Sequence, residues 1–173
     1  MRWVGEHYQS GKYFISGLIM AGEIFREAMV ALGPLLPEGT VDAGHGIVLI
    51  ATVRGDIHDL GKNIVTMMLR SYGIIVHDLG VDVAPDEIAR KAVELQPDIV
   101  GLSGLLTVAT DGMKATVDAL REGAARNGLT LPVIIGGGIV DEQMCDWTGA
   151  DFWANDASNG VRLIRDAIAA ARA

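Results

Sequence analysis

GIVLIATV, residues 46–53, running directly into RGDIHDLGKN, residues 54–63, decides the fold. The first run is continuously apolar and rich in β-branched residues, as a strand covered on both faces requires. The second switches abruptly to charge and glycine, which places a loop at the carboxyl end of that strand. Gly61 permits a tight exit into a helix spanning about 62–72, which Gly73 closes.

The same pattern repeats outward along the chain. Residues 74–79 form a second strand. Pro85 opens the next helix where a missing N–H costs nothing, Asp86 and Glu87 complement its dipole, and Pro97 lies just past its end. Residues 98–103 form a third strand, and Thr110 or Asp111 is expected to cap a helix that Gly128 stops. Residues 132–135 lead into Gly136-Gly137-Gly138 and a short helix from about Asp141; residues 151–154 and a helix over 157–171 complete five strand–helix units. Strands alternating with helices predict an α/β fold with a parallel sheet and right-handed crossovers. Ligands in such sheets bind beyond the carboxyl ends of the strands. The functional search therefore narrows to 54–61, 80–83, 103–110 and 136–140.

The 173 residues suit one layered core with at most a small appendage. Lys and Arg number 14 against 22 Asp and Glu, a net charge of -8, the opposite of a nucleic-acid-binding footprint. The longest apolar runs fall short of the about 20 residues that a membrane helix needs. Residues 1–7 hold no apolar signal core, so a cytoplasmic location is expected, with neither nucleic acid nor membrane as partner. A single cysteine, Cys145, excludes an internal disulfide framework and any multi-Cys metal site; lacking a basic neighbour, it reads as a packing residue. Residues 1–44 differ in kind. An early helix ends near Gln9, and Leu18, Phe25, Met29, Leu32 and Leu36 then recur at three- and four-residue spacing as one apolar stripe. Two helices bury little alone and must lie on the α/β domain or pair with something else.

The chemistry concentrates after the first strand. Asp56 and His58 are two apart in an extended loop, so the carboxylate can accept from one imidazole nitrogen and make the other a better ligand or base. One loop histidine without a second His or Cys nearby cannot build a tetrahedral zinc site. It can serve as an axial ligand to a metal whose other positions a macrocycle fills. Such a group needs room beneath it, and Ser103, Thr107 and the triplet Gly136, Gly137 and Gly138 read as a channel lined by hydroxyls and backbone.

Asp56-x-His58-x-x-Gly61, then Ser103-x-Leu105, then Gly136-Gly137 resembles the cobalamin-binding signature of methionine synthase and of the small corrinoid proteins of methyltransferase systems. The resemblance covers nearly the whole chain, and GDIHDLGKN (55–63) and GLSGLLT (101–107) match closely. It implies a flavodoxin-like, Rossmann-like five-stranded parallel sheet over 41–173. It also implies cobalamin, as methylcobalamin or a related corrinoid, bound base-off/His-on. By this resemblance His58 is the lower axial ligand to cobalt and Asp56 its hydrogen-bonded partner, in a loop where Gly55, Ile57, Asp59 and Gly61 also meet the cofactor. Ser103, Leu105, Thr107, Gly136, Gly137 and Gly138 would line the pocket for the nucleotide tail, and Ala157 would touch it. A branched side chain at Gly137 is expected to block the tail while sparing the fold. A serine that extends the Asp–His relay in methionine synthase falls here on Ala109, so the relay is expected to end at Asp56 or at water. Residues 1–40 resemble the second half of the family's four-helix cap, a truncated cap in which Phe14 and Leu18 would meet the upper face of the corrin.

The function implied is methyl carriage. A substrate-specific methyltransferase would load the cobalt, a second methyltransferase would pass the methyl to tetrahydrofolate or a thiol, and a reductive activating protein would restore the cofactor. The domain would not be catalytic alone. A cobalamin-binding sensor or regulatory domain is the alternative, although a DNA-binding segment before the cap is missing from this sequence. Gly55-Asp56-Ile57-His58 also resembles the first metal motif of binuclear metallophosphoesterases, but the Asn-His pair such an enzyme needs is missing and only His77 follows residue 58. A receiver domain needs an aspartate where Ser103 stands.

Overall fold

The computed structural model describes residues 45–172 continuously and, before them, residues 7, 10–14, 16, 17, 20, 21, 24 and 27. Leu18 and the rest of the apolar stripe at Phe25, Met29, Leu32 and Leu36 lie outside the described residues, as does most of the expected cap.

All five strand–helix units are present. In chain order they are β1 (Ile47–Thr52), α1 (Leu60–Ser71), β2 (Ile75–Asp78), α2 (Pro85–Leu95), β3 (Ile99–Ser103), α3 (Ala109–Asn127), β4 (Val133–Gly136), α4 (Glu142–Thr148), β5 (Phe152–Ala154) and α5 (Ala157–Ala171). The sheet runs β2-β1-β3-β4-β5, every pair parallel. The chain therefore changes winding direction between β1 and β3. This is the flavodoxin-like order, whose crevice opens at the β1/β3 switch point.

The apolar runs are buried on both faces because helices cover both. Leu49 and Ala51 of β1, Val100 and Leu102 of β3 and Val133 and Ile135 of β4 pack with α2, α3 and α4. The alternate residues Val48, Ile50, Ile99 and Ile134 pack with α1 and α5. Each large side chain removed from water in this way contributes about 1.5–3 kcal/mol. Pro85 opens α2 as expected, and Asp141 and Asp156 cap α4 and α5 by accepting from Met144 and Asn159 N–H at 2.8 and 2.9 Å.

Two helix starts differ from expectation. Neither Thr110 nor Asp111 caps α3, which starts at Ala109 after Val108. The turn ahead of it already runs helically, Ala109 and Thr110 N–H donating to the Leu106 and Thr107 carbonyls, so no side-chain acceptor is required. Helix α1 starts at Leu60 rather than 62, which brings Gly61 and Lys62 into its first turn. Among the described residues no helix is long and apolar enough to cross a membrane.

Candidate functional site

Four loops meet at the carboxyl edge of the sheet, and a buried carboxylate ties two of them together. Asp56 is 1% exposed. Its Oδ1 accepts the backbone N–H of His58 at 2.9 Å and lies 2.6 Å from His58 Nδ1. Its Oδ2 accepts the N–H groups of Leu105 and Leu106, beyond β3, at 2.6 and 3.0 Å. A carboxylate only accepts, so Nδ1 carries the proton in that bond and Nε2 is left for another partner. The His58 side chain is 48% exposed. Burial alone would push the Asp56 carboxyl up. The N–H groups of Leu105, His58 and Leu106 and the His58 ring outweigh burial and hold it well below the usual carboxylate range. Both Asp56 oxygens are thus engaged, Oδ2 by the backbone of Leu105 and Leu106.

This arrangement carries a measurable linkage. A carboxyl held below its unfolded value stabilises the fold above about pH 4, and that contribution is lost as pH falls through the folded value. Asp56→Asn places an amide NH2 against N–H donors on one side or the other. It should cost about 2–3 kcal/mol at pH 7 by urea unfolding. The gap from wild type should stay constant above about pH 5 and narrow below about pH 4. A gap independent of pH down to acid unfolding would show that Asp56 is not held as an anion.

Beside the loop, a cleft opens between the sheet and helices α1 and α5. The strand positions facing those helices are large near the sheet's amino end and small near its carboxyl end: Gly101 and Ser103 on β3, Gly136 on β4 and Ala154 on β5 leave the volume open. Gly61 and Lys62 of α1, Gly137 and Gly138, and Ala157 and Gly160 of α5 complete the walls. The Lys62 ammonium is buried and lies 2.6 Å from Asp78 Oδ1, so this wall carries a neutralised pair rather than a bare charge.

Gly61, Ser103, Gly136, Gly137, Gly138 and Ala157 therefore line one cavity. Leu105 and Thr107 are not among the lining residues, a departure from expectation. Leu105, its N–H anchored on Asp56, is exposed, and so is Thr107 at the entry to α3. The expectation at Gly137 also needs correction. Its φ is +147° and a Cβ there would stand 1.8 Å from the Gly104 carbonyl oxygen, so any side chain must move the backbone. That glycine lets the loops after β3 and β4 touch; it is no neutral probe of the cleft.

Ile57 and Leu60 from the first loop, Leu105, Leu106 and Val108 from the third and Ile139 from the fourth expose apolar side chains at this same edge. Gly55 (φ +86°) and Asp59, which sits just ahead of α1, are exposed beside them. Phe14 is 84% exposed, so it is no core residue. Among the described residues no three His, Cys, Asp or Glu side chains gather into a metal site. A metal held here by His58 must bring its other ligands with it. One oriented imidazole, an apolar collar and an adjoining glycine-walled cleft fit a planar metal macrocycle with a tail.

Residues 46–162 match the B12 binding domain family. The chain belongs to that family. Among curated proteins it is 36% identical, over 98% of its own length and 100% of the other's, to dimethylamine corrinoid protein 3 of Methanosarcina mazei. Among solved structures it is 46% identical to a cobalamin-binding protein from Desulfitobacterium hafniense DCB-2, with a TM-score of 0.72, covering 95% of this chain and 76% of that one. It also matches the methanol:cobalamin methyltransferase complex MtaBC from Methanosarcina barkeri at 26% identity and a TM-score of 0.81, covering 95% of this chain and 61% of that one. The cofactor of this B12-binding domain is accordingly a cobalamin-type corrinoid.

Sequence reading missed Gly101, Ala154, Gly160 and the Lys62–Asp78 pair as parts of the cleft. A signal existed for the first, since a glycine inside an apolar strand marks a close approach or a space left open. Nothing local marks Lys62 of α1, whose partner, Asp78, ends β2.

Proposed function

We propose that this chain is the methyl-carrying corrinoid protein of a methyltransferase system and holds its cofactor base-off/His-on through His58. The observation that carries this reading is the His58 ring, half exposed and held on Nδ1 by an anionic Asp56, beside a glycine-walled cleft. The family assignment and the dimethylamine and methanol system relatives support it.

When bound, the cobalt supplies the chemistry, taking a methyl group in its reduced state and yielding it to an acceptor. The chain's own residues do the rest. His58 would hold the cobalt through one ring nitrogen, while Asp56 fixes its tautomer and keeps the ring from turning. Ser103, Gly136, Gly138 and Ala157 would take the tail, and Ile57, Leu60, Leu105 and Leu106 would shield the ring's underside from water. Phe14 and Leu18, in the region that resembles the family's cap, would meet the opposite face. The partners are a substrate-specific methyltransferase, a second one delivering to tetrahydrofolate or a thiol, and a reductive activating protein. The donor is chosen by the first of these, with methylated amines and methanol foremost given the relatives.

Paramagnetic resonance of the cob(II) form, in ¹⁵N-labelled protein loaded with unlabelled cobalamin, tests the reading. Coupling from one ¹⁵N nucleus is expected. Coupling from the cofactor's own benzimidazole nitrogen would overturn it.

A further inference from the structure

We propose that Thr52 and Asp82, both outside the Asp-x-His-x-x-Gly motif, are positioning residues that set where His58 stands. The proposal rests on His58 being the axial ligand. Thr52 ends β1 and is fully buried. Its Oγ1 donates to the His58 carbonyl at 3.1 Å. Asp82, in the loop after β2, accepts the Gly55 N–H on Oδ1 at 2.8 Å and donates its own N–H to the Asp56 carbonyl at 3.0 Å. The first loop is therefore pinned at residues 55, 56 and 58 by bonds that originate outside it. The two struts are joined, because Thr52 N–H donates to the Gly80 carbonyl and Val83 N–H donates to the Thr52 carbonyl, at 3.0 and 3.1 Å.

Both residues direct polar atoms at the first loop, which is why a role is inferred. A fully buried hydroxyl is tolerated only with a partner, and Thr52 Oγ1 finds the His58 carbonyl. Asp82 lies at φ +52°, a conformation that aspartate adopts more readily than most side chains, and its carboxylate reaches the Gly55 N–H. Bonds that reach a loop from other segments fix where its side chains stand. The demand here is precision. The Asp56 bond orients the imidazole only if the Asp56 backbone is itself held, and a ligand atom must stay within about 0.5 Å of its working position.

Thr52→Val keeps the shape and removes the hydroxyl; Asp82→Gly removes the acceptor and relieves the backbone. Both should fold. Thr52→Ser and Asp82→Asn retain an acceptor or donor at each site and serve as rescues. In the cofactor-free protein, amide hydrogen exchange at Gly55 and His58 should quicken by about fivefold or more in each disruptive variant and return in each rescue. In the cob(II) form, the fraction of cobalt coupled to protein nitrogen should fall in the disruptive variants alone. Wild-type exchange and wild-type coupling in both Thr52→Val and Asp82→Gly would overturn the proposal, and either variant suffices if the other is unstable. Were wild type itself to lack protein-nitrogen coupling, the axial-ligand reading would fall and, with it, this proposal's premise; the exchange rates alone would then report on the loop.

Discussion

His58→Ala is expected to leave the fold intact while removing the protein's nitrogen from the cobalt. The ring is half exposed and makes one side-chain hydrogen bond, to Asp56, whose other donors, the N–H groups of His58, Leu105 and Leu106, all belong to the backbone and persist. The loss in stability should thus be about 1 kcal/mol or less. Cofactor affinity should fall by roughly ten- to a hundredfold, because the cleft and apolar collar are untouched. The metal should change far more than the affinity does. A neutral imidazole on the lower face favours the higher oxidation state, so without it the visible band of the oxidised form should shift to the blue and cob(II) should reduce more easily. Asp56→Asn should move the spectrum the same way but less, since the ligand stays while its anionic partner goes. A His58→Ala spectrum identical to that of wild type would remove His58 from the cobalt.

The second large effect belongs to Gly136→Leu, which should abolish tight binding of complete cobalamin in a protein that still folds. A Cβ at Gly136 would meet nothing nearer than the Ala154 carbonyl oxygen at 3.6 Å, an ordinary contact, and the backbone there is not left-handed. The added side chain would enter a cleft walled by Ile134 and Ile164 and should stabilise the cofactor-free protein by up to about 1 kcal/mol. The space it takes is the space a tail would need. Affinity for complete cobalamin should drop by about a hundredfold, the equivalent of about 2.8 kcal/mol. Cobinamide, which lacks the nucleotide, should bind wild type and variant alike. Gly137→Ala should behave differently, lowering stability through the collision with Gly104 whatever ligand is offered. Equal affinity of wild type and Gly136→Leu for complete cobalamin would place the tail elsewhere.

Periodicity and punctuation were sufficient for the architecture because each signal is local. The apolar run at 46–53 must be covered on both faces, Pro85 and Gly128 mark a helix start and stop, and alternation of strands with helices leaves a parallel sheet as the way to bury them. The Asp56–His58 pair was legible for the same reason: two residues apart, their contact needs only an extended loop. The likeness of the motif to the cobalamin signature supplied the role proposed for such a pair.

Tertiary structure decided whatever joins distant segments. The second Asp56 oxygen is spent on Leu105 and Leu106, about fifty residues away, and only the β1–β3 register brings them together. Gly137 is intolerant of any side chain because the loop after β3 lies against it, whereas Gly136, one residue earlier, faces open volume; the triplet reads as uniform in the sequence. Lys62 found Asp78, and Gly55 and Asp56 found Asp82, through the pairing of β1 with β2. A chain of amino acids records the preferences of each residue for its neighbours in sequence. Which carboxylate meets which amide across strands is set by the sheet's order and register, and these arise only when all five strands pack at once.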